Sequence, residues 1–284
     1  MDRAIKIFAV GTFASILLVA SDATAKMTND SAEAVILGRQ LAQRILEQRP
    51  VENFTNVGVL KISDANGKTS EIPVECVVIT AATNWSVVYK AFFTNFMETL
   101  TVIHPDHQLF RQLMAPGLPH DQPKSPDDLP KIAGTINDRI EPFDACQHEG
   151  YPGSPDLAAA RLRSASFADS DFSVDDLCLE FLHWPDQKIL KPYEMRRGRS
   201  CKVLESTNPN PTANGYSRVV SWIDNETLGI VQAEAYDAKG NLLKEFYPKS
   251  FKKVNGQWEL QEMEIRNDQT GSRTRLEFNS RQPD

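Results

Sequence analysis

The chain has 284 residues, with 31 basic and 38 acidic side chains and a formal net charge of −7 at pH 7. This length is enough for one large hydrophobic core or two small ones. The acidic balance excludes a broad nucleic-acid interface, because a protein that neutralises many phosphates needs a basic face. We therefore expect no nucleic-acid partner.

The opening of the chain has the pattern of a signal peptide. It reads MDRAIKIFAVGTFASILLVASDATAK: a short basic start, an apolar core of 14 residues and a small-x-small cleavage site at ATA. Such a core is too short to span a bilayer comfortably. No cysteine near the cleavage site offers a place for the lipid of a bacterial lipoprotein. We predict removal of residues 1–25 and export of residues 26–284 as a single domain that is soluble after cleavage.

An amphipathic helix and two β-hairpins are predicted next. Before Pro50, apolar residues recur at helical spacing, at Val35, Leu37, Leu41, Ile45 and Leu46. From Phe54 the period changes to two, and Asn66-Gly67 is a strong hairpin signal. The stretch WSVVYKAFFTNFMETLTVIH also fits a helical face, but its β-branched and aromatic residues favour two strands joined around residues 94–97.

Residues 105–155 contain 9 of the 17 prolines. Proline removes hydrogen-bond donors from a sheet and fixes φ, so this segment is predicted to be a long loop or lid. A short alanine-rich helix is expected from Ser154 to about Ser164.

The stretch DSDFSVDDLCLEFLHW, residues 169–184, predicts a short lid helix. Ser173 and Asp176 have the spacing of a capping box, and the helical face that follows contains Val174, Leu177, Cys178 and Phe181. A short strand through Leu177, Leu179 and Phe181 is the competing local interpretation. The carboxylates therefore have a structural role available, although they could also form a catalytic pair.

The last third of the chain reads as an antiparallel meander. Six strand-length runs, from CKVLES to SRTRLEF, are separated by short turn sequences such as AKGN and NGQ. Together with the earlier hairpins they give about ten strands in one curved sheet, with about three helices.

Several of these runs resemble a known family. SWIDNETLGIVQAEAYDAKGNLLKEF, FKKVNGQWELQEMEIRNDQTGSRTRLEF, SDFSVDDL and GRSCKVLES resemble the LolA-like branch of the outer-membrane lipoprotein-sorting proteins. The resemblance covers residues 31–104 loosely and 169–278 well. It implies an α+β, mainly antiparallel fold: a half-open curved β-barrel of about ten strands wrapped around an amphipathic helix, with a helical and loop lid. It also implies a hydrophobic cavity that holds lipid or lipoprotein acyl chains.

Two groups of candidate site residues follow. The large residues most able to line a cavity, each of which could equally be ordinary core, are Trp85, Tyr89, Phe93, Trp222, Phe246 and Trp258. The basic segment KILKPYEMRRGRSCK includes Arg196, Arg197 and Arg199. It could meet anionic head groups or an acidic protein surface, or its charges could protect an edge strand from aggregation.

No pattern predicts a cofactor or a metal. His104, Asp106 and His107 form the most metal-like cluster, but no further ligand follows at the usual spacing. Cys146 and His148 could pair as nucleophile and base, yet no preorganised surroundings are visible. The four cysteines could form up to two disulfides or remain buried thiols. Because no catalytic motif occurs in a supporting context, we do not expect an enzyme.

Three functions are compatible with these observations. The leading hypothesis is an exported, monomeric periplasmic carrier that binds lipid or lipoprotein acyl chains and passes them between membrane-associated partners. The second is an envelope-sensing or protein-binding module with the same fold. The third is a hydrolase of envelope polymers that uses Asp175 or Asp176 with Glu180.

Overall fold

In a computed structural model of the protein, the backbone is described for residues 19–105, 107–114, 164–213, 215–254 and 257–282. Side chains are described within these ranges except at 19–30, 252–259 and 279–282. The predicted alanine-rich helix and most of the predicted lid, residues 115–163, lie outside the described residues.

The described residues form two α-helices, one 3-10 turn and twelve strands. The first half contains α1 (Val19–Leu46), β1 (Phe54–Ser63), β2 (Thr69–Thr80), β3 (Trp85–Phe92), β4 (Met97–His104) and β5 (Gln108–Met114). The second half contains α2 (Val174–Leu177), the 3-10 turn (Glu180–His183), β6 (Asp186–Arg196), β7 (Arg199–Thr207), β8 (Arg218–Asp224), β9 (Ile230–Tyr236), β10 (Leu242–Val254), β11 (Gln257–Asn267) and β12 (Ser272–Gln282). None of the helices in these ranges has an apolar stretch of the length needed to cross a membrane.

The twelve strands form one antiparallel sheet in the order β5-β4-β3-β2-β1-β12-β11-β10-β9-β8-β7-β6. Two meanders, one from each half of the chain, are joined where β1 pairs with β12. Because β5 and β6 end the sheet and do not pair with each other, the barrel is half-open. The predicted fold class is therefore confirmed, with twelve strands instead of about ten.

One strand, β5, was not predicted from the sequence, and another, β6, was predicted only through one interpretation of its charges. β5 lies within residues 105–155, which were predicted to be loop, but the seven residues of this strand contain no proline and pair with β4. β6 contains Pro192, and its pairing with β7 is interrupted by irregularities on either side of Lys191. An edge strand tolerates proline because one of its sides needs no hydrogen bonds.

Helix α1 lies against β6 and the 3-10 turn. Leu41 and Ile45 are buried there as predicted, together with Ala42, but Leu37 is 46% exposed. The contact is made instead by Gly38, where a Cβ atom would lie 2.6 Å from the backbone nitrogen of Lys188. The buried face therefore follows positions 38, 41, 42 and 45, and glycine permits the close approach.

Replacing Gly38 with alanine is expected to lower the free energy of unfolding by about 2 kcal/mol, because the new methyl group overpacks the contact with β6. Alanine otherwise favours a helix, so a loss of stability would report the clash and not helix propensity. Urea denaturation measures the effect. As a control, Gln40→Ala changes an exposed position of the same helix and should alter stability by less than about 0.5 kcal/mol. Higher stability of Gly38→Ala would contradict the close packing.

Residues 164–183, which we call the cover segment, lie on the same face of the sheet as α1, and we call this the inner face. Phe167, Phe172 and Val174 are buried there against strands of both meanders. The predicted capping box is present, since Ser173 accepts from the backbone N–H of Asp176 and Asp176 accepts from that of Ser173. The helix ends after one turn, because Leu179 adopts a left-handed conformation before the 3-10 turn.

Candidate ligand cavity

A cavity of about 510 Å³ lies between the inner face of the sheet and the cover segment. Most of its lining is apolar and comes from the loop after α1, both meanders and the cover segment. The apolar lining residues are Pro50, Val51, Phe54, Cys76, Val78, Val87, Tyr89, Phe172, Leu177, Leu179, Phe246, Leu260, Met263 and Phe278. Ligand-binding pockets in proteins are typically a few hundred cubic ångströms and predominantly apolar, so the size and lining fit a ligand site.

The register of β1, β2 and β3 builds one wall of the cavity. Phe54, Val78 and Val87 lie opposite one another across the three strands, and Asn56, Cys76 and Tyr89 form the next row. Side chains two residues apart on a strand point to the same face, so both rows face inward.

Two groups in this wall of the cavity stay uncharged. Burial, with a smaller contribution from Glu75, raises the pKa of the Cys76 thiol to about 12. Burial also raises the pKa of the Tyr89 phenol, whose hydroxyl donates to the carbonyl oxygen of Leu177 at 3.3 Å. At neutral pH both side chains present neutral, poorly hydrated surface.

The polar lining residues are Arg49, Glu52, Asn56 and Asp176. Arg49 donates to the carbonyl oxygens of Ala82 and Asn84 at 3.1 and 2.9 Å, which fixes the loop after α1 to the β2–β3 turn. Next to it, Val51 is 85% exposed. The cavity thus combines an apolar interior with a few charged groups, an arrangement suited to an amphiphilic molecule.

Asp176 holds the cover segment in place. Its carboxylate accepts from the Tyr216 hydroxyl at 2.8 Å and from Lys244 Nζ at 3.0 Å, in addition to the Ser173 groups of the capping box. Asp171 adds a second attachment, because its carboxylate accepts from the hydroxyls of Ser272 and Thr274. The acidic residues of this segment therefore tie it to β10 and β12.

Of the six aromatic residues predicted to line a cavity, Tyr89 and Phe246 do so. Trp85 stacks on His104 with ring centroids 4.0 Å apart, and Phe93 stacks on Phe96 at 4.2 Å; neither lines the cavity. The side chain of Trp258 lies outside the described residues.

Trp222 lies on the opposite, outer face of the sheet. It packs with Val203, Val220 and Val231, whereas Val219 and Ile223 of the same strand face inward. The prediction that Trp222 lines the cavity is therefore wrong. Both faces of β8 are apolar, so size and hydrophobicity did not reveal which face is inside.

Most of the cavity lining was not predicted from the sequence. The lining residues that were not among the candidates are Phe54, Val78, Val87, Leu260, Met263 and Phe278. The alternation along β1, β2 and β3 was the available signal for the first three. The pairing of β1 with β12 was also needed to bring Phe278 beside them.

The basic segment forms β6 and the start of β7. Arg196 donates to Gln232 and Glu234, and Arg199 donates to Asp224. The guanidinium group of Arg197 lies 3.9 Å from the ring centroid of Tyr247. The segment contains the edge strand β6, which agrees with the interpretation that its charges protect an edge strand. Contact of the three arginines with an anionic partner stays a prediction.

The candidate catalytic groups have structural partners. Asp176 is engaged as described above, and Glu180 lies 2.5 Å from His107 Nε2. Among the described residues, Cys76, Cys178 and Cys201 form no disulfide with one another. Cys146 and His148 lie outside the described residues.

A half-open antiparallel barrel with a covered apolar cavity is the class that the fold and the site define, and solved structures share this fold. A DUF1329 family protein from Desulfovibrio piger aligns with a TM-score of 0.54 at 18% identity, covering 88% of this chain and 93% of its own. A putative outer membrane lipoprotein-sorting protein domain from Vibrio parahaemolyticus aligns with a TM-score of 0.55 at 16% identity, covering 86% and 91%. These likenesses establish the half-open antiparallel fold.

Comparisons of the sequence give less information about this chain than comparisons of its structure. A family model described as an uncharacterized protein matches residues 155–284. No curated protein matches the chain.

Proposed function

We propose that the protein is an exported periplasmic carrier that binds a lipid or a lipoprotein acyl chain in the cavity and acts in outer-membrane lipoprotein sorting. The observation that carries this proposal is the cavity of about 510 Å³ with its apolar lining. A hydrocarbon chain would occupy the interior, while its polar end would lie near the charged residues Arg49 and Glu52.

Elementary energetics support an acyl ligand. Each methylene group removed from water contributes about 0.8 kcal/mol, so a chain of several methylenes is held by area alone. Such binding needs no catalytic side chain, and it is favoured by uncharged groups in the interior. The neutral Cys76 and Tyr89 side chains are of this kind.

Export is supported by the signal-peptide pattern of residues 1–25. One protein with this fold is described as a putative outer membrane lipoprotein-sorting domain, which agrees with cargo transfer in the envelope. We expect a monomer that exchanges its ligand with membrane-associated proteins.

A protein-binding module is the second candidate function, and the edge strand β6 favours it. Leu190, Tyr193 and Met195 of this strand are 41%, 63% and 54% exposed. An exposed edge with apolar side chains is a surface on which a partner strand can add. This function needs no lipid in the cavity.

Native mass spectrometry of the exported protein, purified gently and followed by lipid extraction, tests the carrier proposal. We expect a lipid or acylated peptide to co-purify, or to bind when the protein is incubated with phospholipids and lipopeptides. A mass that stays free of ligand after incubation with both would overturn the carrier proposal and favour the protein-binding module.

A further inference from the structure

A cluster of potential metal ligands lies where the β4–β5 turn meets the cover segment. His107, Cys178 and Glu180 each offer one ligand atom, and these atoms all lie within 4.8 Å of one another. The side chains of His107 and Glu180 are 11% and 16% exposed, and Cys178 is 3% exposed. The cluster is thus shielded from water, unlike an ordinary group of surface carboxylates.

From this geometry we propose that His107, Cys178 and Glu180 bind a divalent transition-metal cation, with Zn²⁺ as the best match. Imidazole nitrogen, thiolate sulfur and carboxylate oxygen are the three ligand types that zinc takes in proteins. Three protein ligands also leave one tetrahedral position for water or another group. The sequence pattern grouped His107 with His104 and Asp106, whereas Cys178 and Glu180 lie about 70 positions later in the chain.

The distances fit a tetrahedral site after small side-chain movements. Zinc bonds of about 2.0–2.3 Å place ligand atoms roughly 3.3–3.8 Å apart, inside the observed limit. The contact between His107 Nε2 and Glu180 Oε2 is 2.5 Å and would have to open by about 1 Å. Metal binding would release the thiol proton of Cys178 to solvent.

A histidine–carboxylate ion pair alone explains the contact of His107 Nε2. The thiol of Cys178, which donates to the carbonyl oxygen of Asp175, adds a third ligand type beside that pair. In addition, His107 Nδ1 is buried and has no hydrogen-bond partner among the described residues. Metal-binding histidines use one ring nitrogen for the metal and the other for a hydrogen-bond partner, so Nε2, which faces Glu180, is the nitrogen placed to bind the metal.

The position of the site gives it a role in the architecture. Cys178 lies between Leu177 and Leu179, which line the cavity, while His107 belongs to the turn between β4 and β5. A bound metal would therefore connect the cover segment directly to the edge of the sheet. This inference does not require the cavity to bind lipid.

Cobalt titration of the purified, metal-free full chain tests the site, because a thiolate ligand gives Co²⁺ a charge-transfer band in the near ultraviolet. We expect one equivalent to bind with this band, and Zn²⁺ to displace it. Zn²⁺ should also raise Tm, since it binds the folded chain. Cys178→Ser should abolish the band and weaken binding at least about 100-fold.

Cys201→Ser is the matched control. Cys201 is also buried, and like Cys178 its thiol donates to a backbone carbonyl nearby in the chain, but it lies on the outer face. This variant should keep both the band and the affinity. If Cys178→Ser does not fold, the near-isosteric Glu180→Gln provides the same affinity test, with circular dichroism as the check on folding. Absence of the band in the wild type, or unchanged affinity in the folded ligand variants, would overturn the proposal.

Discussion

Replacing Val87 with aspartate is expected to weaken binding of an acyl ligand at least about 100-fold. Val87 lies in the row with Phe54 and Val78 and faces the cavity. An ionised carboxylate at this position would lose its hydration when the ligand enters, and such uncompensated burial costs several kcal/mol. A loss of 100-fold corresponds to about 2.7 kcal/mol, which is within that cost. Displacement of a fluorescent fatty acid measures the affinity directly.

Val77→Asp is the matched control for this experiment. Val77 lies on β2, next to the strand that contains Val87, and is half-buried like Val87. It pairs with Val88, and its side chain points to the outer face of the sheet. We expect binding by this variant to stay within about threefold of wild type. Equal losses in both variants would indicate general damage to the sheet, whereas unchanged binding by Val87→Asp would exclude this cavity as the ligand site.

The predictability of the strands depended on local signals. The Asn66-Gly67 turn is confirmed between β1 and β2, with Gly67 at a φ of 82°. The six carboxyl-terminal strands are likewise confirmed, because period-two alternation and turn residues are both encoded within a few positions. By contrast, β5 was obscured by the surrounding prolines, and β6, which contains Pro192, was indicated only by one interpretation of its charges. Both become strands through pairing with a neighbour, which local sequence does not show.

The inner face of the sheet was harder to predict than the strands themselves. Val219 faces inward and Val220 outward, yet both are buried and apolar. Composition therefore cannot assign the two faces of β8. Tyr89 and Phe246 were found through their size, whereas Val78 and Val87 required the register across three strands. The grouping of His107 with Cys178 similarly depends on tertiary contact.

The short helix of the cover segment was predictable because its stabilising contacts are local. Ser173 and Asp176 specify the capping box within four residues. The longer-range partners of Asp176, Tyr216 and Lys244, were not evident from sequence. These contacts give Asp176 a larger structural role than the capping box alone would give it.

Replacing Asp176 with asparagine is therefore expected to lower the free energy of unfolding by about 3 kcal/mol. One carboxylate oxygen accepts from Tyr216, and the other accepts from Lys244 and from the Ser173 groups. An amide has a single oxygen, so it cannot accept on both sides, and one set of donors would face an NH₂ group. Lys244, whose side chain is 18% exposed, would also lose its ion-pair partner. Chemical denaturation followed by circular dichroism measures the change.

Asp186→Asn controls for the loss of one negative charge. Asp186 is 60% exposed and lies 3.9 Å from Arg39, so its replacement should change stability by less than about 0.5 kcal/mol. If Asp176 were instead part of a catalytic pair, Asp176→Asn would keep the stability of the wild type and lose turnover of an envelope polymer. Because the carboxylate oxygens already accept from Ser173, Tyr216 and Lys244, we expect the loss to appear in folding.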